Sequence, residues 1–263
     1  MCNHEDEATR ELTRASELLP EDSEIHLNLG GVFMLQDMYE SAARCFRKVV
    51  EIDPMDRLGY ANLAAAYDVD KKYDEEIQVL KKILMFAPED IELRSALSTA
   101  YFNSENYDEA LNHALCVIEL DEKDPQAYCN LGSCYSAQNM IDEAVESFKK
   151  ATEIDPDYSL PHTNLGSLYA TIGRIEKAIK EFKLASSMNP SDSLAWMNLY
   201  SCYKEVGRTE DAQEAFRKYE SLMNQGSQTD NETSIPGGVS QTGQLASGEN
   251  MDTAKPGMEE LKS

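Results

Sequence analysis

An all-α solenoid, a linear stack of helix pairs instead of a closed globule, is the fold class this sequence predicts, and three observations predict it. One pattern recurs every 34 residues without insertion from residue 23 to residue 226. A period between about 20 and 50 residues marks stacked units, none of which can bury its apolar face alone. Within each unit, large and small apolar residues fall at positions 4, 7, 8 and 11 and again at 20, 24 and 27, which are single faces of two 3.6-residue helices. Finally, Asp53-Pro54, Ala87-Pro88, Asp155-Pro156 and Asn189-Pro190 close the second helices, because proline disfavours helix at the residue before it.

Taken in order, residues 1–22 form half a unit. Ala8, Leu12, Ala15 and Pro20 stand where positions 20, 24, 27 and 32 of a preceding copy would fall, so a lone helix over 5–19 covers the first full repeat. Six units follow, 23–56, 57–90, 91–124, 125–158, 159–192 and 193–226. In each, small residues at 8 and 20 leave room for large ones at 7, 11 and 24 to interdigitate. The second and third units depart from the pattern: Glu76 replaces alanine at position 20, Arg94 an aromatic at 4, Ala114 phenylalanine at 24 and Glu122 proline at 32. The expected reconciliation is that the Arg94 stem fills the space left at Ala114, with its guanidinium reaching Glu76 or Glu92. In the sixth unit Trp196, Met197, Leu199, Tyr219 and Leu222 pack within the repeat and leave part of a face open for self-association. Residues 227–263 turn to Gly, Ser, Thr, Gln and Pro with few apolar residues, the composition of a disordered tail.

The clearest copy is Ala127-Tyr128-Cys129-Asn130-Leu131-Gly132, Tyr135, Ala144, Phe148, Ala151 and Pro156. It returns as His162, Asn164-Leu165-Gly166, Tyr169, Ala178, Phe182 and Pro190, and as Trp196, Asn198-Leu199, Tyr203, Ala212 and Phe216. This pattern resembles the tetratricopeptide repeat (TPR), a helix-turn-helix unit, over about four fifths of the chain. The resemblance implies a right-handed superhelix whose first helices line a concave groove, with positions 2, 5, 6, 9, 12 and 13 pointing into it.

Position 6 reads Asn28, Asn62, Ala96, Asn130, Asn164 and Asn198, and position 9 reads Gly31, Ala65, Thr99, Ser133, Ser167 and Ser201. An amide donates and accepts, so a row of them can bracket the backbone of an extended peptide, and small neighbours let that backbone come close. The arrangement is similar to the asparagine ladder of the O-linked N-acetylglucosamine transferases. Peptide-groove residues are therefore expected to be Asn28, Asn62, Asn130, Asn164, Asn198, Ser133, Ser167 and Ser201. The plainer alternative is that these asparagines satisfy local hydrogen bonds. A two-carboxylate clamp for chaperone tails would need Lys and Arg in the groove, and position 5 (Leu27, Ala61, Ser95, Cys129, Thr163, Met197) supplies none.

The formal charge of −24 repels nucleic acid and anionic lipid and favours neutral or basic protein partners. No apolar run is long enough to span a bilayer and no secretory pattern opens the chain, so a cytoplasmic protein is expected. The cysteines read as small apolar residues, and Cys129, Cys134 and His113 lack metal-ligand spacing. His26 and His162 at position 4 read as packing residues and His113 as solvated. No nucleophile with a base, paired carboxylates or phosphate loop is found, so neither enzyme activity nor a cofactor or metal is expected. The leading expectation is a noncatalytic adaptor binding an extended partner segment; the alternatives are a substrate-recruiting subunit of a transferase complex and an oligomerising assembly factor.

Overall fold

The computed structural model describes residues 2–232 as thirteen helices, with no strand among them. After α1 (Cys2–Leu18), the first helices of the six units are α2 (Ser23–Leu35), α4 (Arg57–Val69), α6 (Ile91–Asn103), α8 (Pro125–Ala137), α10 (Ser159–Thr171) and α12 (Ser193–Glu205). Their partners are α3 (Tyr39–Ile52), α5 (Tyr73–Leu84), α7 (Tyr107–Leu120), α9 (Ile141–Ile154), α11 (Ile175–Met188) and α13 (Thr209–Glu232). Each helix packs on the next, and α1 lies on α2. Successive first helices also touch, α6 with α8, α8 with α10 and α10 with α12, while second helices make no comparable contact. The stack therefore curves with first helices on its inner side.

Helix starts are written into position 34. The side chains of Asp22, Asp56, Asp90, Asp124 and Asp192 accept backbone N–H bonds from the first turns of α2, α4, α6, α8 and α12, each such cap contributing about 1 kcal/mol. The exception is α10, where Tyr158 occupies that position and makes no cap bond. Inside each unit the turn is fixed at position 15, where Asp37, Lys71, Glu105, Asn139, Gly173 and Gly207 all adopt positive φ. The following N–H then returns to a carbonyl five residues back, as from Asn106 to Tyr101 and Arg174 to Tyr169, both at 2.8 Å. For Lys71 and Glu105 this left-handed geometry stores strain of about 1 kcal/mol. Glu105→Gly is expected to raise stability by roughly 0.5 kcal/mol, net of the glycine's larger unfolded-state entropy, in urea unfolding.

Packing within a unit turns on positions 8 and 24. A Cβ on Gly30, Gly132 or Gly166 would stand 2.5, 2.7 and 2.6 Å from the rings of Phe46, Phe148 and Phe182. Where position 24 shrinks, position 8 grows: Ala64 faces Leu80, and Ser98 faces Ala114 and donates its hydroxyl to the Ala110 carbonyl at 2.8 Å. Tyr200 occupies position 8 of the sixth unit against Phe216, ring centroids 4.9 Å apart, leaving both side chains half-buried. The buried core forms two clusters, one from Ala42 to Ala110 with Cys134, the other from Cys129 to Ala215.

Helix α13 runs to Glu232; the rest of the expected tail, 233–263, lies outside the described residues. One sequence expectation is corrected: Arg94 does not reach Glu76 or Glu92. Its Nε and Nη2 donate to the Pro88 carbonyl, the former at 2.9 Å. The position-4 rings of His26 and Trp196 bond the equivalent carbonyls of Pro20 and Pro190 at 2.9 and 3.0 Å. Arg94 thus keeps the hydrogen-bonding role of the ring it replaces. Accordingly, Arg94→Leu is expected to cost about 1 kcal/mol in thermal unfolding and Arg94→Trp much less.

Candidate functional site

The inner face is built from the first helices, so its side chains are set by helical register alone. Of the residues at positions 2, 5, 6, 9, 12 and 13 along the six units, the charged ones are Glu24, Asp68, Glu92, Lys204 and Glu205. A chain with a net charge of −24 has thus kept most of its charge off this face. Its first half carries the larger apolar residues Leu27, Met34, Val69 and Phe102 beside Glu24, Asp68 and Glu92. Its second half carries hydroxyls and amides at Ser133, Ser136, Thr163, Ser167, Thr171 and Ser201 between Asn130, Asn164 and Asn198.

The predicted asparagines are in different states. Asn28 is exposed and Asn62 and Asn198 are half-buried, and none of the three has a side-chain hydrogen bond among the described residues. Their amides are free to turn toward a ligand. Asn130 and Asn164 are engaged. Gln126 Nε2 donates to Asn130 Oδ1 at 2.9 Å, while Asn130 Nδ2 is buried without a partner. Asn164 Nδ2 bonds Cys129 Sγ and Ser133 Oγ across from α10 to α8, both at 3.4 Å. The serines spend their protons locally: Ser133, Ser167 and Ser201 donate to the carbonyls of Cys129, Thr163 and Met197, four residues back, at 3.0 to 3.1 Å. They retain acceptor lone pairs toward the groove and have no base drawing on their hydroxyls.

Three further residues enter the site that periodicity does not single out. Tyr158, in place of a capping aspartate, donates its hydroxyl to Gln126 Oε1, and Gln126 in turn holds Asn130. The signal is in the sequence, as a tyrosine where five other units have aspartate. Cys129 completes the set; burial pushes its thiol up to about 12, so it remains neutral across the physiological range. Burial likewise raises Tyr158, whose hydroxyl remains a donor.

Elsewhere, two titratable groups are buried without full hydrogen bonding. Glu76 is 7% exposed, its Oε2 has no partner, and burial, followed by the charge of Asp68, pushes its carboxyl up to about 8. His113, read as solvated, instead stacks on Tyr101 with ring centroids 5.6 Å apart and has a buried, unpartnered Nδ1; burial, then Arg94, lowers its pKa. His162 Nδ1 meets Glu181 Oε2 at 2.8 Å. Among the described residues no group of three His, Cys, Asp or Glu is placed to hold a metal, and no helix is long and apolar enough to cross a membrane.

Three TPR family models match the chain, at residues 23–55, 125–158 and 147–180. A search of curated proteins gave no significant match. Among solved structures, a chain of the APC/C hetero-tetramer Cut9-Hcn1 aligns with TM-score 0.62 at 15% identity, covering 83% of this chain and 43% of that one. TTC0263, a thermophilic TPR protein of Thermus thermophilus, aligns with TM-score 0.57 at 19% identity, covering 69% and 98%. MamA aligns with TM-score 0.53 at 21% identity, covering 63% and 97%. At these identities the property shared is the solenoid fold.

Proposed function

Because the chain belongs to the tetratricopeptide repeat family, we propose that it is a noncatalytic interaction scaffold holding an extended segment of a partner protein along its inner face. The observation that carries this reading is the row of position-6 amides set among small side chains on a face that holds few of the chain's charges. An extended peptide brings unpaired N–H and C=O groups that must be satisfied once water is displaced. Amides supply both partners, and the small residues at position 9 let the backbone approach.

In the first half, apolar side chains at Leu27, Met34, Val69 and Phe102 stand beside Glu24, Asp68 and Glu92 and suit a segment with both apolar and basic residues, and the second half suits a backbone flanked by small or polar residues. With four acidic charges against one basic, the face disfavours an anionic segment and accepts a neutral or basic one. Affinity in this arrangement accumulates from many modest contacts.

Photocrosslinking tests the reading. With p-benzoylphenylalanine at Ser167 on the inner face, partners should crosslink in source lysate; with the same group at Lys150, exposed on the second helix α9, they should not. Capture from Lys150 and none from Ser167 would place the binding surface on the outer side.

A further inference from the structure

Resting on the groove reading, we propose that Asn164 is a fixed, acceptor-only contact on the inner face, oriented by Cys129 and Ser133, and that it admits a partner backbone only where that backbone presents an N–H. The observations are specific to the junction of the fourth and fifth units. Asn164 Nδ2 lies 3.4 Å from both Cys129 Sγ and Ser133 Oγ, within donating distance of each. Ser133 cannot turn to compete, because its own proton is committed to the Cys129 carbonyl at 3.0 Å. Among the described residues Asn164 Oδ1 accepts no hydrogen bond and is not among the buried unpartnered atoms, so the oxygen is the atom left open to a ligand.

The equivalent steps are not locked. Asn198 faces Thr163 and Ser167 at the corresponding positions and bonds neither; Asn62 and Asn28 likewise stand free. Such amides can rotate to meet either polarity of ligand, whereas Asn164 cannot without giving up its two hydrogen bonds to Cys129 Sγ and Ser133 Oγ. The neighbouring amide is also held, through Tyr158, Gln126 and Asn130, so two adjacent units are ordered from both sides. The neutrality of the buried Cys129 thiol keeps the sulfur in the same hydrogen-bonding state across physiological pH. Ser133 and Cys129 act here as positioning residues. A proline or an N-methylated residue at the facing position would bring a carbon against the oxygen and leave it unpaired.

The test uses twelve-residue peptides selected from a random display library on the full chain and counter-selected on the Asn164→Ala variant, followed by N-methyl scanning of the best binder. On the unmodified protein, methylation at one backbone position should weaken binding about tenfold or more. On Cys129→Ala/Ser133→Ala the same methylation should cost less than about threefold, because the freed amide can offer its N–H to a neighbouring carbonyl. Alanine already occupies both positions in the second unit, as Ala61 and Ala65. Should the double variant lose helicity by circular dichroism, Ser133→Ala alone carries the same expectation at smaller size. Indifference to methylation at every position, or an unchanged penalty in the variants, would overturn the oriented acceptor and leave the groove reading standing. A library yielding no binder that is lost with Asn130→Ala/Asn164→Ala/Asn198→Ala would overturn both.

Discussion

Raising the pH from 5 to 9 is expected to destabilise the second unit, and Glu76→Ala to remove that dependence. Glu76 occupies a position where Ala42, Ala110, Ala144, Ala178 and Ala212 are buried in the other units, and its Oε2 is buried without a partner. Burial, then the charge of Asp68, pushes its carboxyl from 4.5 up to about 8, while burial also raises Asp68. The fold therefore favours the protonated form. For such a group the stabilisation is full below the unfolded value of 4.5, declines as pH rises, and is lost on passing about 8. A shift of this size corresponds to a swing on the order of 5 kcal/mol between the two limits, of which about 4 kcal/mol falls between pH 5 and pH 9. The variant-minus-wild-type difference in unfolding free energy should grow by that order between pH 5 and pH 9. Hydrogen exchange of the α5 amides should locate the change, since in a linear array a weakened unit opens without its distant neighbours. A difference that is flat across this range would show that Glu76 ionises freely in the folded state.

Gly166→Ala is expected to destabilise the fifth unit by roughly 2 kcal/mol despite the better helix propensity of alanine. The added Cβ would lie 2.6 Å from the Phe182 ring, which is itself fully buried and has no space to retreat. Phe182→Leu alone would open a cavity and cost roughly 1 to 3 kcal/mol. Combined, the two changes reproduce the Ala64/Leu80 pair of the second unit, so the double variant should recover at least about 1 kcal/mol relative to the sum of the singles. Thermal unfolding of all four proteins measures that coupling. Strict additivity would mean that positions 8 and 24 do not set each other's size.

That relation also shows why the fold is so legible. The spacing of Gly30, Gly132 and Gly166 against Phe46, Phe148 and Phe182 is a size pattern, and size patterns survive in one-dimensional sequence. What is less legible depends on backbone atoms and on cross-unit geometry. The partner of Arg94 is a main-chain carbonyl, which no side-chain pattern records, so the pattern points to an acidic partner in its place. The asparagine row is visible as letters, yet nothing in the letters separates the free Asn62 and Asn198 from Asn164, whose amide is held by a cysteine and a serine of the previous unit. Tyr158 is a departure from aspartate at a capping position, but its link to Gln126 exists only because the curvature of the stack brings successive first helices together.

The central claim is that the inner-face amides hold the partner. It is tested most directly by quantitative affinity capture from source lysate on the native chain and on Asn130→Ala/Asn164→Ala/Asn198→Ala, after circular dichroism shows equal helicity. The account predicts that a discrete set of partners falls about tenfold or more with the triple variant, since each lost amide contact is worth about 1 kcal/mol, while background proteins stay constant. Equal recovery of every partner on both baits would contradict it, and would move the binding surface to the outer helices.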